Sequence, residues 1–382
     1  MKIAMFADSF YPTVDGAVVA METVCRGLAH RGHEVVVLAP DSGIRPVVRW
    51  PVHYLPSLEF KKYPGYRVVV SPSDMLEFLR AQKVDVIHSH GVASMAILSL
   101  TAARALKIPH VLTFHTMANE AVKYYSPLPI RQDLMEQLVW VYLRNLLKRP
   151  EVVIAPSEPI KRELEENGVV MKACEVVSTG VDCSRFTPEN YDKAFLERFG
   201  LKGKRVLLHV GRLSLEKRLD IVLEAIAQLA PRDPDLRLLV VGSGPATDHY
   251  KKMARDLRIE DKVNFAGFLP DDDLPKAYAS CEALVIASTF ETQGLVVLEA
   301  LASGTPVAGI RFRAIPEFVH EGKNGCLFEP DTCADAIQRC LARGDSMMLS
   351  AVSSAREFSV DICTAKLEKA YELAAELLVR SK

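Results

Sequence analysis

The sequence predicts an α/β protein with two domains, each built on a parallel sheet. Short apolar runs rich in β-branched residues alternate with longer segments of helical period from the first residue onward, and near residue 205 the alternation begins again. Such alternation is typical of parallel sheets that helices cover on both faces. A length of 382 residues is enough for two or three domains of roughly 150 residues each.

The elements of the first domain can be assigned in order along the chain. Five apolar runs are predicted to be buried strands, namely KIAMFAD (2–8), HEVVVLAP (33–40), DVIHSH (85–90), HVLTFHT (110–116) and EVVIAPS (151–157). Helical patterns lie between them, for example AMETVCRGLAHRG (20–32) and SDMLEFLRAQK (73–83). This order is that of a doubly wound, Rossmann-like domain.

The second domain repeats the pattern. Its predicted strands are RVLLHVGR (205–212), LRLLVVGSG (236–244), KVNFAGF (262–268), ALVIAS (283–288) and PVAGI (306–310). Its helices include LDIVLEAIAQLA (219–230), HYKKMARDLR (249–258) and LVVLEALASG (295–304). The fold class predicted is therefore two Rossmann-like, doubly wound parallel-sheet domains that face each other across a cleft, where ligands bind outside the carboxyl ends of the strands.

The domain boundaries follow from the two strand sets. We assign an N-terminal domain to residues 1–178, a linker to 179–190, a C-terminal domain to 191–362 and a last helix to 363–382. The linker contains Gly180, Asp182 and Pro188 and has no clear period. The last helix follows the complete second domain and can cross back to the first.

Composition and charge exclude several classes of protein. The net charge is −1, which argues against a nucleic-acid binder that works by bulk charge. Residues 1–150 carry a net charge of +5, and residues 151–382 carry a net charge of −6. The basic first half could favour an anionic partner or membrane surface, or the charges could be scattered by chance between two domains. Eight dispersed cysteines form no CxxC pair, and no histidine cluster has zinc-finger spacing, so we expect reduced thiols and no metal site. MKIAMFADSFYP is not a signal peptide and no apolar run approaches about 18 residues, so we expect a cytoplasmic protein that can lie on the inner face of the membrane.

Two cations follow the first strand of the second domain. In GRLSLEKRLD, Gly211 permits a tight turn, and Arg212 and Lys217 lie on the loop that enters the next helix. Arginine offers a planar fork and lysine a compact charge for phosphate oxygens, and the helix start adds N–H groups. Solvated surface cations are the alternative, but the position at the carboxyl end of a strand favours a diphosphate site.

The segment STFETQGLVVLEALASGTPV (288–307) contains two glutamates eight positions apart. Glu291 lies in the predicted loop, whereas Glu299 lies about two turns into the helix among apolar residues, where a carboxylate usually has a partner. Carboxylates accept hydrogen bonds from vicinal hydroxyls, as in ribose or hexose. The N–H groups at the helix start can bind phosphate or sugar oxygens, and they belong to Gly294, Leu295 and Val296.

Together these motifs resemble the nucleotide-sugar site of retaining glycosyltransferases of family 4, which have the GT-B fold. The resemblance covers nearly the whole chain, and the paired-glutamate segment is its most specific part. It implies that Arg212 and Lys217 hold the donor diphosphate. It also implies that Glu291 contacts the hydroxyls of the donor sugar and that Glu299 binds those of the ribose.

The N-terminal half agrees with this resemblance. DSFYPTVDGAVVAMETVCRGLAHRGHEVVVLAP (8–40) is similar to the opening of the family, and Gly16 is where a backbone N–H can approach the diphosphate. TFHTM places His115 after a strand, where the family has a histidine close to the transferred sugar. His90, in IHSHG, is similarly placed but is expected to be structural.

The glycine-rich run LLVVGSGP (238–245) does not indicate a dinucleotide site. Gly242 and Gly244 fit the first two positions of such a fingerprint, but Thr247 occupies the third. We interpret the run as a tight strand-to-helix loop near the nucleotide.

The reaction that the resemblance implies retains the anomeric configuration. Arg212, Lys217 and the helix-start N–H groups would stabilise the charge of the leaving diphosphate. No metal and no cofactor beyond a nucleotide sugar, most simply a UDP-sugar, is implied. The proposed catalytic residues are His115, Arg212, Lys217 and Glu291, with a same-face mechanism because no carboxylate nucleophile is evident.

Several features favour a lipid acceptor. YLPSLEFKKYPGYRVVVSP (54–72) mixes the aromatic residues Phe60, Tyr63 and Tyr66 with Lys61, Lys62 and Arg67. The helical segment 131–150 is rich in leucine and carries Trp140, Tyr142, Arg144, Lys148 and Arg149, which suits an interfacial helix and equally a core-packed one. TFHTMANEAVKYY (113–125) and DSFYPTVDGAV (8–18) resemble the branch of diacylglycerol glucosyltransferases and sulfolipid synthases.

Other functions remain as alternatives. A soluble acceptor, such as an inositol phosphate, a hydroxy acid or a polysaccharide, or GDP-mannose as donor would keep the enzyme class. A nucleotide- or sugar-binding module without catalysis is disfavoured because the whole set of site residues is present. The nucleotide base, the hexose, the acceptor and the oligomeric state are not determined by the sequence.

Overall fold

The chain forms two compact units, and each has its own sheet and core. The computed structural model describes residues 1–13, 15–60, 66–72, 74–115 and 132–380. Unit 1 combines Met1–Gly180 with Val360–Lys382, and unit 2 is Val181–Ser359.

Unit 1 is built on a parallel sheet that has seven strands among the described residues. The strands of unit 1 are β1 (Lys2–Ala7), β2 (Glu34–Pro40), β3 (Val52–Leu55), β4 (Ser57–Glu59), β5 (Arg67–Val69), β6 (Val86–His90), β7 (His110–Thr113), β8 (Val152–Ala155) and β9 (Cys174–Val176). The sheet has the order β3-β2-β1-β6-β7-β8-β9, whereas β4 and β5 form a separate antiparallel hairpin. The order reverses between β1 and β6, which makes this the topological switch point where ligands bind in such sheets.

Helices cover both faces of this sheet, which is why its central strands are apolar and buried along nearly their whole length. In the described part of Met1–Gly180 these helices are α1 (Gly16–His30), α2 (Met75–Gln82), α3 (Ser94–Leu106), α4 (Gln132–Leu147) and α5 (Glu158–Glu166). Asp15 caps α1 by accepting a hydrogen bond from the Val18 N–H at 2.9 Å. One face of the sheet packs against α2 and α3.

Unit 2 has a second parallel sheet, with six strands in the described part of the chain. Its strands are β10 (Arg205–Val210), β11 (Leu236–Val241), β12 (Val263–Gly267), β13 (Ala283–Ile286), β14 (Val307–Ile310) and β15 (Gly325–Phe328). Its helices are α6 (Lys193–Arg198), α7 (Leu219–Leu229), α8 (Thr247–Asp256), α9 (Leu274–Ser280), α10 (Leu295–Ala302), α11 (Ile315–Phe318) and α12 (Cys333–Arg356). The order β12-β11-β10-β13-β14-β15 is again that of a Rossmann sheet, with the switch point between β10 and β13.

The last helix, α13 (Val360–Arg380), belongs to unit 1. Leu367, Ala370 and Tyr371 are buried in the core that α1 and the sheet also form. The chain passes between the units at Gly180 and Val181, where the Val181 N–H donates to the Phe358 carbonyl at 2.9 Å.

The predicted fold class of two Rossmann-like parallel-sheet domains is confirmed. Sequence patterns do not identify β3, β9 and β15, which are short strands at the edges of the two sheets. The predicted acceptor residues Lys61, Lys62 and Tyr63, and residues 116–125, lie outside the described residues. None of the described helices combines the length and apolarity that crossing a membrane requires.

Candidate active site

The predicted donor residues of unit 2 follow β10 and β13, the two strands that flank its switch point. Gly211 and Arg212 come directly after β10, and a single 3-10 turn, Leu215–Lys217, leads into α7. The loop after β13 is joined to this turn, because the Thr289 N–H donates to the Glu216 carbonyl at 3.4 Å. The topology therefore brings the two predicted motifs to one edge of the sheet.

Lys217 and Glu291 form an ion pair at this edge. The Lys217 Nζ lies 2.6 Å from the Glu291 Oε1, and the side chains are 23% and 16% exposed. Burial raises the pKa of the Glu291 carboxyl, but the charge of Lys217 and hydrogen bonds from Lys217 and Ser288 outweigh burial and leave that pKa lowered. Glu291 is therefore an anion that holds the ammonium in place, and the two further N–H bonds of the ammonium can point to a ligand.

His209 lies in the strand beneath this pair and is a residue that the sequence reading missed. Strands β10 and β13 are paired through Leu207 with Ala283 and Leu208 with Leu284. One residue further along β10, the His209 side chain contacts β13, because its Nδ1–H donates to the Val285 carbonyl at 3.1 Å. The pKa of His209 is lowered to about 4, mainly because the ring is buried, so the ring is neutral. A histidine inside the apolar run RVLLHV is the signal that could have identified it.

Glu216 is a second residue that the sequence reading missed. Its side chain is buried, and one carboxylate oxygen accepts a hydrogen bond from the Ser214 hydroxyl at 2.7 Å. Because Glu216 lies in a polar, charged motif, its pattern indicates an exposed side chain. In the structure it stabilises the turn that carries Lys217.

Glu299 lies on α10 and accepts a hydrogen bond from Tyr278 of α9. The Tyr278 hydroxyl is 2.6 Å from the Glu299 Oε2, and the tyrosine is fully buried. Burial raises the pKa of Glu299, against the lowering effects of the Tyr278 hydroxyl and the nearby charge of Arg185. Tyr278 thus fixes one oxygen of the carboxylate, and the other can accept a hydrogen bond from a hydroxyl group.

Gly294 is the N-cap residue of helix α10, and its φ of 82° lies in the left-handed region that favours glycine. An added Cβ would also lie 3.1 Å from the Ile315 Cδ1. The N–H groups of Leu295 and Val296 are in the first turn, where backbone N–H groups lack partners within the helix and can bind an anion.

The loop after β11 packs backbone to backbone against the Arg212 loop. The Leu213 N–H donates to the Ser243 carbonyl at 3.1 Å, and the Ala246 N–H donates to the Leu213 carbonyl at 2.9 Å. An added Cβ at Gly244 would lie 2.3 Å from the Leu213 oxygen, so the glycine serves this close approach. LLVVGSGP (238–245) contains the end of β11 and most of the short loop that leads into α8, so the strand-to-helix loop that we predict is present.

Unit 1 places Gly16 and His115 at the carboxyl edge of its own sheet. Gly16 is the exposed first residue of α1, and an added Cβ there would meet no atom within 4 Å among the described residues. His115 lies two residues past β7, with its Nε2 2.8 Å from the His90 Nδ1. Burial lowers the pKa of His115 to about 4, so its imidazole is neutral.

Asp8 occupies the switch point of unit 1. Its buried carboxylate accepts hydrogen bonds from the Ala93 N–H at 2.8 Å and the Met95 N–H at 2.9 Å, and so orders the loop between β6 and α3. Burial raises its pKa to about 6, against the effect of these hydrogen bonds. Tyr142 of α4 joins the same loop through its hydroxyl, which donates to the Val92 carbonyl at 2.5 Å.

In the part of the chain that the structure describes, no three His, Cys, Asp or Glu side chains are grouped as metal ligands would be. All eight cysteines are free thiols.

Family models match both halves of the chain. The model described as Glycosyltransferase Family 4 matches residues 14–185, and Glycosyl transferases group 1 matches residues 193–351. The alpha-monoglucosyldiacylglycerol synthase of Streptococcus pneumoniae is 30% identical over 355 residues, which are 90% of this chain and 79% of that protein. A GDP-mannose-dependent alpha-mannosyltransferase of Mycolicibacterium smegmatis is 31% identical over 337 residues, or 87% of this chain and 85% of that protein.

A solved structure with the same fold is that of HepE from Anabaena in complex with UDP. It has a TM-score of 0.78 and 20% sequence identity, and the match covers 97% of this chain and 100% of that chain.

The two Rossmann-like units and the family matches define a glycosyltransferase of the GT-B fold class. The chain belongs to glycosyltransferase family 4. The predictions of the family, of its fold and of a hexosyltransferase activity are therefore confirmed.

Proposed function

We propose that this enzyme transfers glucose from UDP-glucose to a membrane lipid of the diacylglycerol class and forms an α-glycoside. The observation that carries the proposal is the similarity, over 90% of the chain, to a streptococcal enzyme that is named for this product. In the proposal the protein acts at the cytoplasmic face of the membrane, as a peripheral protein.

The donor diphosphate would bind at the carboxyl edge of the unit 2 sheet. Arg212 and Lys217 supply positive charge, and the Leu295 and Val296 N–H groups supply donors at a helix start. As the sugar–oxygen bond breaks, negative charge grows on the leaving phosphate. A cation that is already held in place stabilises this charge without first having to reorganise.

Glu291 has two roles in the proposed reaction. Its ion pair with Lys217 fixes the ammonium, and the same carboxylate accepts hydrogen bonds from hydroxyls of the donor sugar. The acceptor hydroxyl would attack from the face that the diphosphate leaves, and the leaving phosphate oxygen would take its proton. This route retains the anomeric configuration and uses no carboxylate nucleophile.

Glu299 would bind the ribose hydroxyls of the nucleotide. Tyr278 orients the carboxylate, and the apolar surroundings of α10 strengthen each hydrogen bond that the carboxylate accepts. In unit 1, the roles are those that the family resemblance implies. The backbone N–H of Gly16 would approach the diphosphate, and His115 would contact the transferred sugar.

Helix α4 supports a lipid acceptor. Its inner face is buried through Leu143, Leu146 and Leu147, but its outer face exposes Leu134, Leu138 and Val141 by 48%, 51% and 49%. The basic residues Arg144, Lys148 and Arg149 are exposed near its C-terminal end. An apolar stripe beside basic side chains suits the boundary between headgroups and acyl chains. Because Tyr142 joins α4 to the loop after β6, this stripe adjoins the switch point of unit 1.

The hairpin β4–β5 adds a second exposed apolar surface. Leu58, Val68 and Val70 are 65%, 40% and 57% exposed. Arg67 is held on the hairpin through a hydrogen bond from its Nε to the Ser57 hydroxyl at 2.8 Å. Leu58 and Val68 pair directly across the hairpin and therefore share one face, whereas Arg67 pairs with Glu59 on the other face. The exposed aliphatic face fits insertion at the boundary between headgroups and acyl chains.

The central test is nucleotide release from a donor panel. UDP-glucose, UDP-galactose, UDP-GlcNAc, GDP-mannose and ADP-glucose would each be incubated with vesicles that contain diacylglycerol, or with soluble sugars. We expect release from UDP-glucose only when the vesicles are present, with an α-linked glucolipid as product. Release that follows a soluble sugar and ignores vesicles would contradict the lipid acceptor.

A vesicle flotation assay tests the acceptor surface separately. The double variant Leu134→Ser, Leu138→Ser should lose binding to anionic vesicles while its nucleotide binding stays unchanged. The matched control is Leu349→Ser on α12 of unit 2, where an 80% exposed leucine lies far along the chain from the proposed surface. Equal flotation of all three proteins would contradict membrane contact through α4.

A GDP-mannose donor is the second candidate, because a relative of 31% identity is named for that donor. The same panel separates the two candidates, since the donor that supports lipid-dependent release identifies the nucleotide and the hexose together.

A further inference from the structure

The sheet of unit 1 carries a group of buried polar side chains on one face. His88 and His90 are two residues apart in β6 and therefore point to the same side of the sheet. Thr113 of the neighbouring strand β7 pairs with His90. His115 continues this row two residues after Thr113. His88, His90 and Thr113 are 0%, 3% and 6% exposed, so most of their polar atoms are expected to have partners within the protein.

His90 and His115 satisfy this need through each other. The His90 Nδ1 and the His115 Nε2 are 2.8 Å apart, the ring centroids are 5.1 Å apart and the ring planes are inclined by 15°, so the two rings meet edge to edge as an N–H···N hydrogen bond requires. Burial lowers the pKa of both rings, and for His90 the neighbouring histidines lower it further. Both rings are therefore neutral at pH 7, and a single proton lies between the two nitrogens.

The second nitrogen of His90 indicates where this proton lies. The His90 Nε2 is buried and has no hydrogen-bond partner among the described residues. A buried N–H group without a partner is rarer than an acceptor without one. The proton of His90 is therefore expected on Nδ1, from which it is donated to the His115 Nε2.

We infer that His90 is a positioning residue that fixes both the ring orientation and the tautomer of His115. Because the His115 Nε2 accepts the hydrogen bond, the neutral His115 carries its own proton on Nδ1. Any hydrogen bond from His115 to a sugar hydroxyl is then donated by Nδ1. The sugar contact rests on the proposed function, whereas the tautomer of His115 does not.

His90 itself is supported from behind by the C-terminal helix. The His88 Nδ1 lies 2.8 Å from the Tyr371 hydroxyl of α13, and the His88 Nε2 lies 2.7 Å from the Thr113 hydroxyl. The His88 ring then packs against His90, with centroids 4.1 Å apart. This packing limits rotation of the His90 ring.

The tautomer is measured on the full-length enzyme labelled with ¹⁵N-histidine, without substrate, by two-bond ¹H–¹⁵N correlation at pH 7. The His115 signals are identified by their loss in a His115→Gln variant. We expect the wild-type His115 to be protonated on Nδ1. Protonation on Nε2 would overturn the inference.

Two substitutions of His90 separate positioning from simple packing. In His90→Asn the amide nitrogen can occupy the place of Nδ1 and donate to His115, whereas His90→Leu keeps the volume and removes the donor. We expect His90→Leu to shift His115 towards the Nε2-protonated form and to lower kcat about tenfold, the effect of one lost hydrogen bond, with little change in the donor KM. His90→Asn should restore both the tautomer and most of kcat. An equal loss of kcat in His90→Leu and His90→Asn would overturn the positioning role of His90.

A matched control is His110→Asn, which alters another buried histidine of unit 1 whose Nε2 is 2.9 Å from the Ser99 hydroxyl. It should change stability but leave kcat and the His115 signals unchanged. An equal drop in kcat for His110→Asn would make the effect of His90 one of general packing. Because the tautomer is measured without substrate, an enzyme that is inactive with every donor would contradict the proposed function and leave this result standing.

Discussion

Unit 1 and unit 2 have the same strand order around their switch points, yet they carry different chemistry there. In unit 2, Lys217 and Glu291 face each other as an ion pair, and each keeps the other charged in a largely buried place. In unit 1, the buried His90 and the half-buried His115 are hydrogen-bonded to each other, and both are neutral because burial lowers the pKa of each ring. The comparison teaches that the fold sets the location of a site, whereas the local partner decides whether the site is charged.

This difference fits the two parts of the proposed reaction. A diphosphate that leaves with negative charge needs cations, and unit 2 supplies them. A sugar hydroxyl is neutral and needs directed hydrogen bonds, and a neutral imidazole supplies these without attracting competing anions.

Removal of the cation in unit 2 should have the largest effect. We expect Lys217→Ala to lower kcat on the order of 10²- to 10³-fold, because it removes a group that stabilises charge formed in the transition state. Single-turnover release of the nucleotide measures this effect. The companion variant Glu291→Gln keeps Lys217 and should bind the nucleotide alone as well as the wild type does. A Lys217→Ala enzyme with normal turnover would remove Lys217 from the leaving-group site.

Substitution of Glu299 should affect binding more than turnover. Glu299→Ala should raise the donor KM about 10- to 150-fold with a small change in kcat, because a hydrogen bond to a charged group contributes about 1.5–3 kcal/mol. Tyr278→Phe, which leaves the carboxylate but removes its orienting hydroxyl, should raise the KM less. Initial rates over a range of donor concentration measure both, and an unchanged KM for Glu299→Ala would exclude the ribose role.

The neutral histidines of unit 1 should make stability depend on pH. His115 has a folded pKa of about 4, and burial also lowers the pKa of His90 well below its usual value. In the unfolded chain histidine binds a proton near pH 6.5, so the free energy of unfolding should fall as the pH is lowered from about 6.5 towards 4. The slope is at most about 1.4 kcal/mol per pH unit for each such histidine. Urea unfolding at several pH values measures it.

Asp8 provides the control for this pH dependence, because it acts in the opposite direction. Its pKa is raised to about 6 in the folded protein, so its contribution to stability grows as the pH falls through 6. The Asp8→Asn variant lacks this opposing contribution, so its free energy of unfolding should fall more steeply on acidification than that of the wild type. A free energy of unfolding that does not vary between pH 6.5 and 5 in either protein would contradict the assignment of neutral rings.

The smallest effect is expected at Gly16. An added Cβ meets no described atom within 4 Å, so Gly16→Ala should fold normally and can even gain stability at a helix start. If a diphosphate approaches this backbone, the methyl group should still lower kcat/KM severalfold. Unchanged kcat/KM would show that no ligand comes close to Gly16. Unit 1 would then contribute only its neutral histidines to the proposed reaction.

The sequence predicts the long elements and the motif residues well, because both depend on local pattern. Strands such as β1 and β10 are mostly apolar, and Arg212, Lys217, Glu291 and Glu299 lie in motifs that can be recognised without a structure. The edge strands β3, β9 and β15 have three or four residues each, and in such short segments the pattern of strands is not distinct from that of loops.

Contacts between distant parts of the chain could not be predicted in the same way. Tyr278 is 21 residues from Glu299, and Tyr371 is 283 residues from His88, so each pair depends on how helices pack and not on spacing. The contact of His90 with His115 depends on the register of β6 against β7, which no local pattern fixes.

The division of unit 1 into two separate stretches of chain has a consequence for the order of synthesis. Residues 1–180 leave the ribosome first, but the helix that covers one face of their sheet is made only after all of unit 2. Unit 2 is continuous and can fold as soon as residue 359 has emerged. The domain that is translated first is thus finished last, and until Tyr371 has been made, the buried His88 of its sheet lacks its hydrogen-bond partner on α13.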